Sequence, residues 1–341
     1  VGLVFNINKQ RIAGRMWIGM NEKTAAEIRS IYSDAPEVGW ANLGTENTLL
    51  AARLATTWKT FWQNYLDGLA DDRRRNLQNQ LKRMGASVGI DTEKDLLNNF
   101  TGQMALFVYG IAPNFNATQF SRNPVGNLDQ IGAIVAAQVE KPKLLRNTLT
   151  TITSKVGGFV EVGTVGDREV GASDAIHVVS FTEPEDSSGI AAMLMEEPPP
   201  LRLYAYKRQF AIATNAIDRE SMAAYLKGER EEPALTKTDQ LDLGGKFVTD
   251  NQISGLYVNF VRIRNHLQNK LPPIPQVQNT LNALQEVMLN FTPRQKGAFV
   301  DLTVDVSESA MGSRSSDDSS GSDDGADKPS QKTESNSEES E

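Results

Sequence analysis

Apolar side chains that alternate with small or polar ones recur from Leu3 to Val306, and that period of two most constrains the fold. Leu3, Phe5 and Ile7 keep the period, and Ile12, Met16, Ile18 and Met20 resume it, so residues 2–20 read as a hairpin. Leu201, Leu203 and Ala205, followed by Phe210 and Ile212, read as a second hairpin. Single strands are expected at 103–111, in IGAIVAAQV (131–139), in AIHVVSF (175–181) and in KGAFVDLTVDV (296–306). Short strands are also expected around the glycines of 157–181.

Between the strands, helical signals alternate with breaks. Asn21 is placed to cap a helix reaching about Tyr32, which Asp34-Ala35-Pro36 ends. The strand-like VGWANL leads into a long helical region, 45–84. Its apolar stripe is Leu50, Leu54, Trp58, Phe61, Tyr65 and Leu69, and Gly68 with Asp71-Asp72 splits it in two. Gly85 to Ile90 stops it, and Asp91 caps a short helix after it. Further helices are expected from Pro142 to Val156, from an Asp218 cap to Lys227, and from the Leu271–Pro275 break to Asn290. A strand-then-helix unit, ISGLYVNFVRIRNHLQNKL, precedes that break. The expected architecture is α+β: antiparallel sheets packed against helices. VGWANLGTENTLLAARL (38–54) echoes SGLYVNFVRIRNHLQNKL (254–271), and GLVFNINKQR (2–11) echoes GAFVDLTVDV (297–306), which makes a duplicated unit a candidate. Residues 1–20 then form the terminal hairpin of a preceding half or repeat, and 21–306 form the body.

Charge is segregated. Of the net charge of −8, residues 307–341 carry −7, from ten acidic and three basic residues, so the body is close to neutral. The Ser-, Asp- and Glu-rich 307–341 segment has too little apolar surface to offset its ordering entropy and is expected to be a disordered tail. It suits weak cation binding or a solubilising role. Without a basic excess the body lacks a nucleic-acid footprint; Arg73-Arg74-Arg75 sits beside Asp71-Asp72 and reads as a solvated helix face. No cysteine is present, which excludes disulfides, thiolate metal sites and a thiol nucleophile within this chain. No apolar run reaches the roughly 18 residues of a membrane-spanning helix. The sequence opens at Val1 inside a strand-like pattern, which leads to the expectation of a piece of a longer protein.

The run DLLNNFTGQMALFVYG, and the order IGAIVAAQVE, KPKLLRNTLTTIT, a hairpin ending FAIATN, SMAAYLKGE and VTDNQISGLYVNFVRIRN, resemble an uncharacterised group of bacterial extracytoplasmic proteins. That group is catalogued only as a domain of unknown function, the thirty-three fifty-two group, and the resemblance spans about residues 38–306. It implies an α+β fold and a cell-envelope location, periplasmic or membrane-anchored as in a lipoprotein, through an anchor upstream of Val1. It supplies no catalytic residue.

Candidate sites are few. Phe100-Thr101-Gly102-Gln103 could form a backbone nest for an anion. A phosphate loop, however, has more glycines, a lysine and a helix after the turn, whereas here a strand follows. The better reading is a helix end with Gly102 at positive φ, leading into a buried strand. KVGGFVEVGTVGDREVG (155–171) also lacks the following helix of a dinucleotide site and suits tight turns. The two histidines, His177 and His266, stand outside any metal-ligand spacing, and either could serve as a general base only beside a partner. Glu183, Glu185, Asp186, Glu196 and Glu197 flank prolines and read as solvated loop edges. Asn99, Asn116 and Asn290 begin N-x-T patterns, which carry meaning only in a glycosylating host. Trp58, Phe61, Trp62 and Tyr65 form the densest aromatic cluster. At helical spacing they read chiefly as core, with Trp62 off the stripe and most open to solvent. Trp58, Trp62 and Tyr65 are therefore the candidate ligand or partner surface.

The function expected from these residues is a non-catalytic extracytoplasmic binding or scaffolding protein, without cofactor, metal or nucleic acid, whose partner is an envelope protein or an apolar ligand. One alternative is a carrier that holds an apolar ligand between a curved sheet and the long helices, which a lined cavity would favour. Another is a hydrolase, which needs a histidine bonded to a carboxylate and a hydroxyl nucleophile.

Overall fold

Strands from the whole length of the chain join one antiparallel ladder. The computed structural model describes residues 1–8, 10–32, 43–124, 126–156, 160–165, 174–181, 199–229, 243, 247, 254–267 and 275–307. The strands are β1 (Gly2–Asn8), β2 (Arg11–Gly19), β3 (Leu50–Ala55), β4 (Phe100–Ile111), β5 (Ile131–Val139), β6 (Val160–Thr164), β7 (His177–Phe181), β8 (Leu201–Tyr206), β9 (Gln209–Thr214), β10 (Ser254–Asn259), β11 (Leu284–Arg294) and β12 (Gly297–Val306). Their order is β1-β2-β12-β11-β10-β3-β4-β5-β9-β8-β7-β6. The helices are α1 (Glu22–Ile31), α2 (Trp58–Gly68), α3 (Asp71–Val88), α4 (Ala117–Arg122), α5 (Pro142–Val156), α6 (Arg219–Lys227), α7 (Phe260–Leu267) and α8 (Pro275–Ala283). Antiparallel strands packed on helices make this an α+β protein. The chain divides into a body, Val1–Met311, and a segment, Gly312–Glu341, that lies outside the described residues.

Because side chains alternate across a strand, the pairing register assigns each one to a face of the sheet. On the front face, Ala51, Phe107, Ile134, Ala211, Tyr204, Val178, Tyr257 and Met288 form one buried cluster with Met222, Ala223, Tyr225 and Leu226 of α6. On the back face, Val139, Phe210, Ala205 and Val179 form a second cluster with Leu145 and Leu149 of α5. Each large side chain buried in this way stabilises the fold by about 1.5–3 kcal/mol. At the β2–β12 end the front face carries ion pairs beside the Trp17–Phe299 ring contact. Arg11 Nε and Nη2 donate to the two carboxylate oxygens of Asp305 at 2.6 and 2.7 Å, and Arg15 pairs likewise with Asp301.

Local signals place most elements. Asn21 Oδ1 accepts from Thr24 N at 2.8 Å, Asp91 Oδ1 from Lys94 N at 3.0 Å and Asp218 Oδ1 from Ser221 N at 2.7 Å, so all three caps form. Strands β5, β8 and β9 and helices α5 and α6 lie where expected.

Several expectations are corrected. Leu50–Ala55 is strand, not the start of a long helix: the alanine-rich LAARLA has helical propensity, but β10 and β4 pair with both of its edges. Leu284–Asn290 is likewise strand within β11, paired on both sides by β10 and β12. Of the echoed pairs, 2–11 and 297–306 both form strands, whereas the counterpart of α7 in 43–50 is not helical. Helix α3 runs through Gly85 to Val88 and ends at Gly89 with φ 74°. The missing Cβ of Gly85 lets the Ile90 carbonyl and Thr92 approach. Strand β4 begins at Phe100, and α4 lies between β4 and β5. VGWANL up to Asn42, the Asp34–Pro36 break, most of 157–171, the 183–197 acidic residues, residues 230–239 and 271–274 and the tail beyond Ser307 lie outside the described residues.

One buried polar group ties the front face together. Glu286 is 1% exposed; its Oε1 accepts from the Tyr257 hydroxyl at 2.5 Å and its Oε2 from Leu243 N at 3.1 Å. Asn259 Nδ2 donates to the same hydroxyl, and Asn259 Oδ1 accepts from Arg262 N at the start of α7. Burial, and then the charge of Glu286, push the Tyr257 phenol well above its ordinary range, so it remains a donor. Removing either partner leaves a buried group unsatisfied. Tyr257→Phe and Glu286→Ala should each lower unfolding free energy by about 1–3 kcal/mol, read from urea midpoints at unchanged slope. A neutral result for both would show that the network contributes nothing.

Candidate functional site

The back face acquires its pocket through one close crossing of two chain segments. Where β3 ends, Thr56 N and Thr56 Oγ1 both donate to the Gly102 carbonyl, at 3.0 and 3.1 Å. Gly102 has φ 97°, and a Cβ there would collide with the Thr56 carbonyl and with Trp58 N. The β4–β5 register shifts between Phe100 and Met104 at the same place. This crossing starts α2 at Trp58, directly over the back face. Gly102 therefore takes the expected positive φ, but inside β4 rather than at a helix end, and its surroundings are protein backbone.

Beneath α2, Trp58, Leu97, Phe100, Met104, Val135, Ala137, Phe210 and Ile212 line a cavity of about 230 Å3. All the strand residues among these share the back face, because Ala137 pairs with Met104 and Phe210, Val135 with Ile212, and Phe100 with Val139. Phe100 and Phe210 meet at 5.8 Å between ring centres. Trp58 Nε1 is buried with no hydrogen-bond partner among the described residues, so apolar contact alone holds this ring.

The same face of the sheet carries further exposed apolar side chains. Leu3, Phe5, Ile7, Leu54, Val135, Leu289 and Leu302 are each more than a third exposed. The registers place all seven on the back face: Val135 opposite Leu106, Leu54 opposite Met104, Leu289 opposite Leu256 and Leu302, and Leu3, Phe5 and Ile7 opposite Met16, Gly14 and Ile12. Apolar side chains gathered on one exposed face are a candidate interaction surface.

The aromatic cluster is only partly core. Trp58 lines the pocket. Trp62 is half-buried, and its Nε1 donates to Glu93 Oε1 at 3.4 Å. Phe61 and Tyr65, expected inside, are 39% and 47% exposed, while Leu66 fills the buried position. The helix begins only at Trp58, which rotates its buried stripe away from the expected one. Trp58, Trp62 and Tyr65 stack in sequence at 6.4 and 5.7 Å. The remaining lining residues were legible only as core strand positions.

The histidines lie on opposite faces. His177 is buried in β7 opposite Ala205 on the back face. His266 borders a front-face cavity of about 500 Å3 that Asp218 and Ser221 also line. There the Ser221 hydroxyl donates to Asp218 Oδ2 at 2.7 Å, and His266 makes no hydrogen bond among the described residues. No group of three or more potential metal ligands occurs among the described residues, and no helix among them is long and apolar enough to cross a membrane. Comparison with models of known protein families, with curated proteins and with solved structures finds no match for this chain.

Alanine at Gly102 would meet both a left-handed backbone and the Thr56 carbonyl. Gly102→Ala should destabilise the protein by about 1–3 kcal/mol, measured by thermal and urea unfolding. A shift within about 0.5 kcal/mol would mean that the crossing does not constrain α2.

Proposed function

We propose that the protein is a non-catalytic binding protein for an elongated apolar ligand of the acyl-chain type. One end of the ligand seats beneath Trp58 and the remainder lies along the back face. The observation that carries this reading is the shared face: the enclosed pocket and seven exposed apolar strand residues stand on the same side of one sheet. Ligand pockets usually span about 300–1,000 Å3. The pocket, at about 230 Å3, suits one end of a chain rather than a whole lipid. An extracytoplasmic, cell-envelope setting, expected from the family resemblance, forms part of the same proposal and suits a carrier that shields such a chain from water.

Titration of the protein with a dansyl-labelled long-chain fatty acid, followed by displacement with the unlabelled acid, tests this reading. Ala137→Phe fills the pocket and Val135→Lys places a charge at its mouth. Each should weaken binding by about tenfold or more while leaving the circular dichroism spectrum and unfolding midpoint near those of the parent. Absence of saturable binding by the parent, or undiminished binding by Ala137→Phe, would overturn it.

A further inference from the structure

The front-face cavity of about 500 Å3 is built independently of the apolar site. Strand β4 carries a bulge between Val108 and Gly110, opposite Ala133 and Gly132, and Tyr109 is the extra residue. Bulges of this kind re-aim a side chain. Here Tyr109 stacks on Tyr225 at 5.7 Å, and its hydroxyl donates to the Leu43 carbonyl at 2.6 Å, which fixes one wall.

The floor is a glycine pair, Gly110 opposite Gly132. Neither has a positive φ. A Cβ on Gly110 would come no nearer than 3.9 Å to His266 Cε1, and one on Gly132 no nearer than 3.6 Å to Gly110 N. The fold therefore has no steric need of glycine at either position, although glycine weakens a strand by roughly 0.5–1 kcal/mol relative to alanine. Open space over a strand glycine is what close approach of a ligand requires.

The rim selects the ligand by charge and hydrogen bonding. The side chains of Asn47, Asp129 and His266 border the cavity, and none has a hydrogen bond or ion pair among the described residues. Asp218 adds a second carboxylate, held below the usual range by the Ser221 N–H and hydroxyl and so ionised. Among the described lining residues there is no Lys or Arg, which disfavours phosphates and carboxylates. A carboxylate and an amide oxygen supply acceptors for the donors of an ammonium, with the His266 ring beside them, and the tyrosine rings favour a cation.

We propose that this cavity binds a small organic cation bearing a primary ammonium group. Calorimetric titration of the full chain at physiological salt, with putrescine and ethanolamine as probes, tests it. Tetramethylammonium, glucose and inorganic phosphate serve as comparators. At least one amine should bind saturably. Tetramethylammonium, which has no N–H, should bind about tenfold more weakly or worse, and glucose and phosphate should not bind. Asp129→Asn should weaken amine binding by about tenfold or more. The Gly110→Ala/Gly132→Ala double variant should keep or raise the unfolding midpoint while losing affinity. Both variants retain the acidic tail, so a loss in either locates the amine in the cavity. No heat from either amine, equal binding by tetramethylammonium, binding of glucose or phosphate, or unchanged affinity in both variants would overturn the proposal.

Discussion

An unbroken antiparallel ladder runs from β1 to β6, and each strand's register hands the next its choice of faces. A slip of one residue anywhere would exchange the two faces for every strand beyond it. The positions of both cavities depend on that parity. Pairing of Ala137 with Phe210 puts the apolar pocket on the back face, and pairing of Ala51 with Tyr257 puts the Glu286 network on the front face. Two of the three departures from regular register among the described residues, at Phe100–Met104 and at Val108–Gly110, fall beside the two cavities, and the third lies at Leu284–Glu286.

The two faces are filled unequally. Helix α6 with Leu243 and Phe247 covers the front of the central strands, and the Arg11–Asp305 and Arg15–Asp301 pairs lie on the front of β2 and β12. On the back, α5 closes over the β7–β9 end, α2 over β4 and the end of α1 over β11 at Tyr32 and Phe291, while Leu3, Phe5, Ile7, Leu289 and Leu302 remain exposed. Leaving that surface open forgoes the stabilisation that its burial would provide. A ligand surface has this character, because the burial is completed only on binding.

Much of the fold was legible because it rests on neighbours in the chain. Alternation marked β5, β8, β9 and β12, and a side chain three residues before its amide partner marked the starts of α1 and α6. The back-face pocket was legible only in part. The tryptophan cluster pointed to α2, but Phe61 and Tyr65 were expected inside, because a stripe extrapolated through Leu50 and Leu54 sets the wrong helical phase once those residues belong to β3. The Gly102 turn was read correctly as backbone shaping, though the partner that demands glycine, the Thr56 carbonyl, lies a whole helix pair away in sequence.

By itself, the sequence determined the α+β class, the caps, most strand positions and the exclusion of thiol chemistry, since propensity, alternation and capping act across a few residues. The tertiary structure alone decided that Leu50–Ala55 and Leu284–Asn290 are strands, because hydrogen bonds from distant partners on both edges override local preference. It also decided that Trp58 roofs a pocket and that Asn47, Asp129 and His266 meet at one rim. Those residues come from separate elements, and only the order of strands in the ladder brings them together.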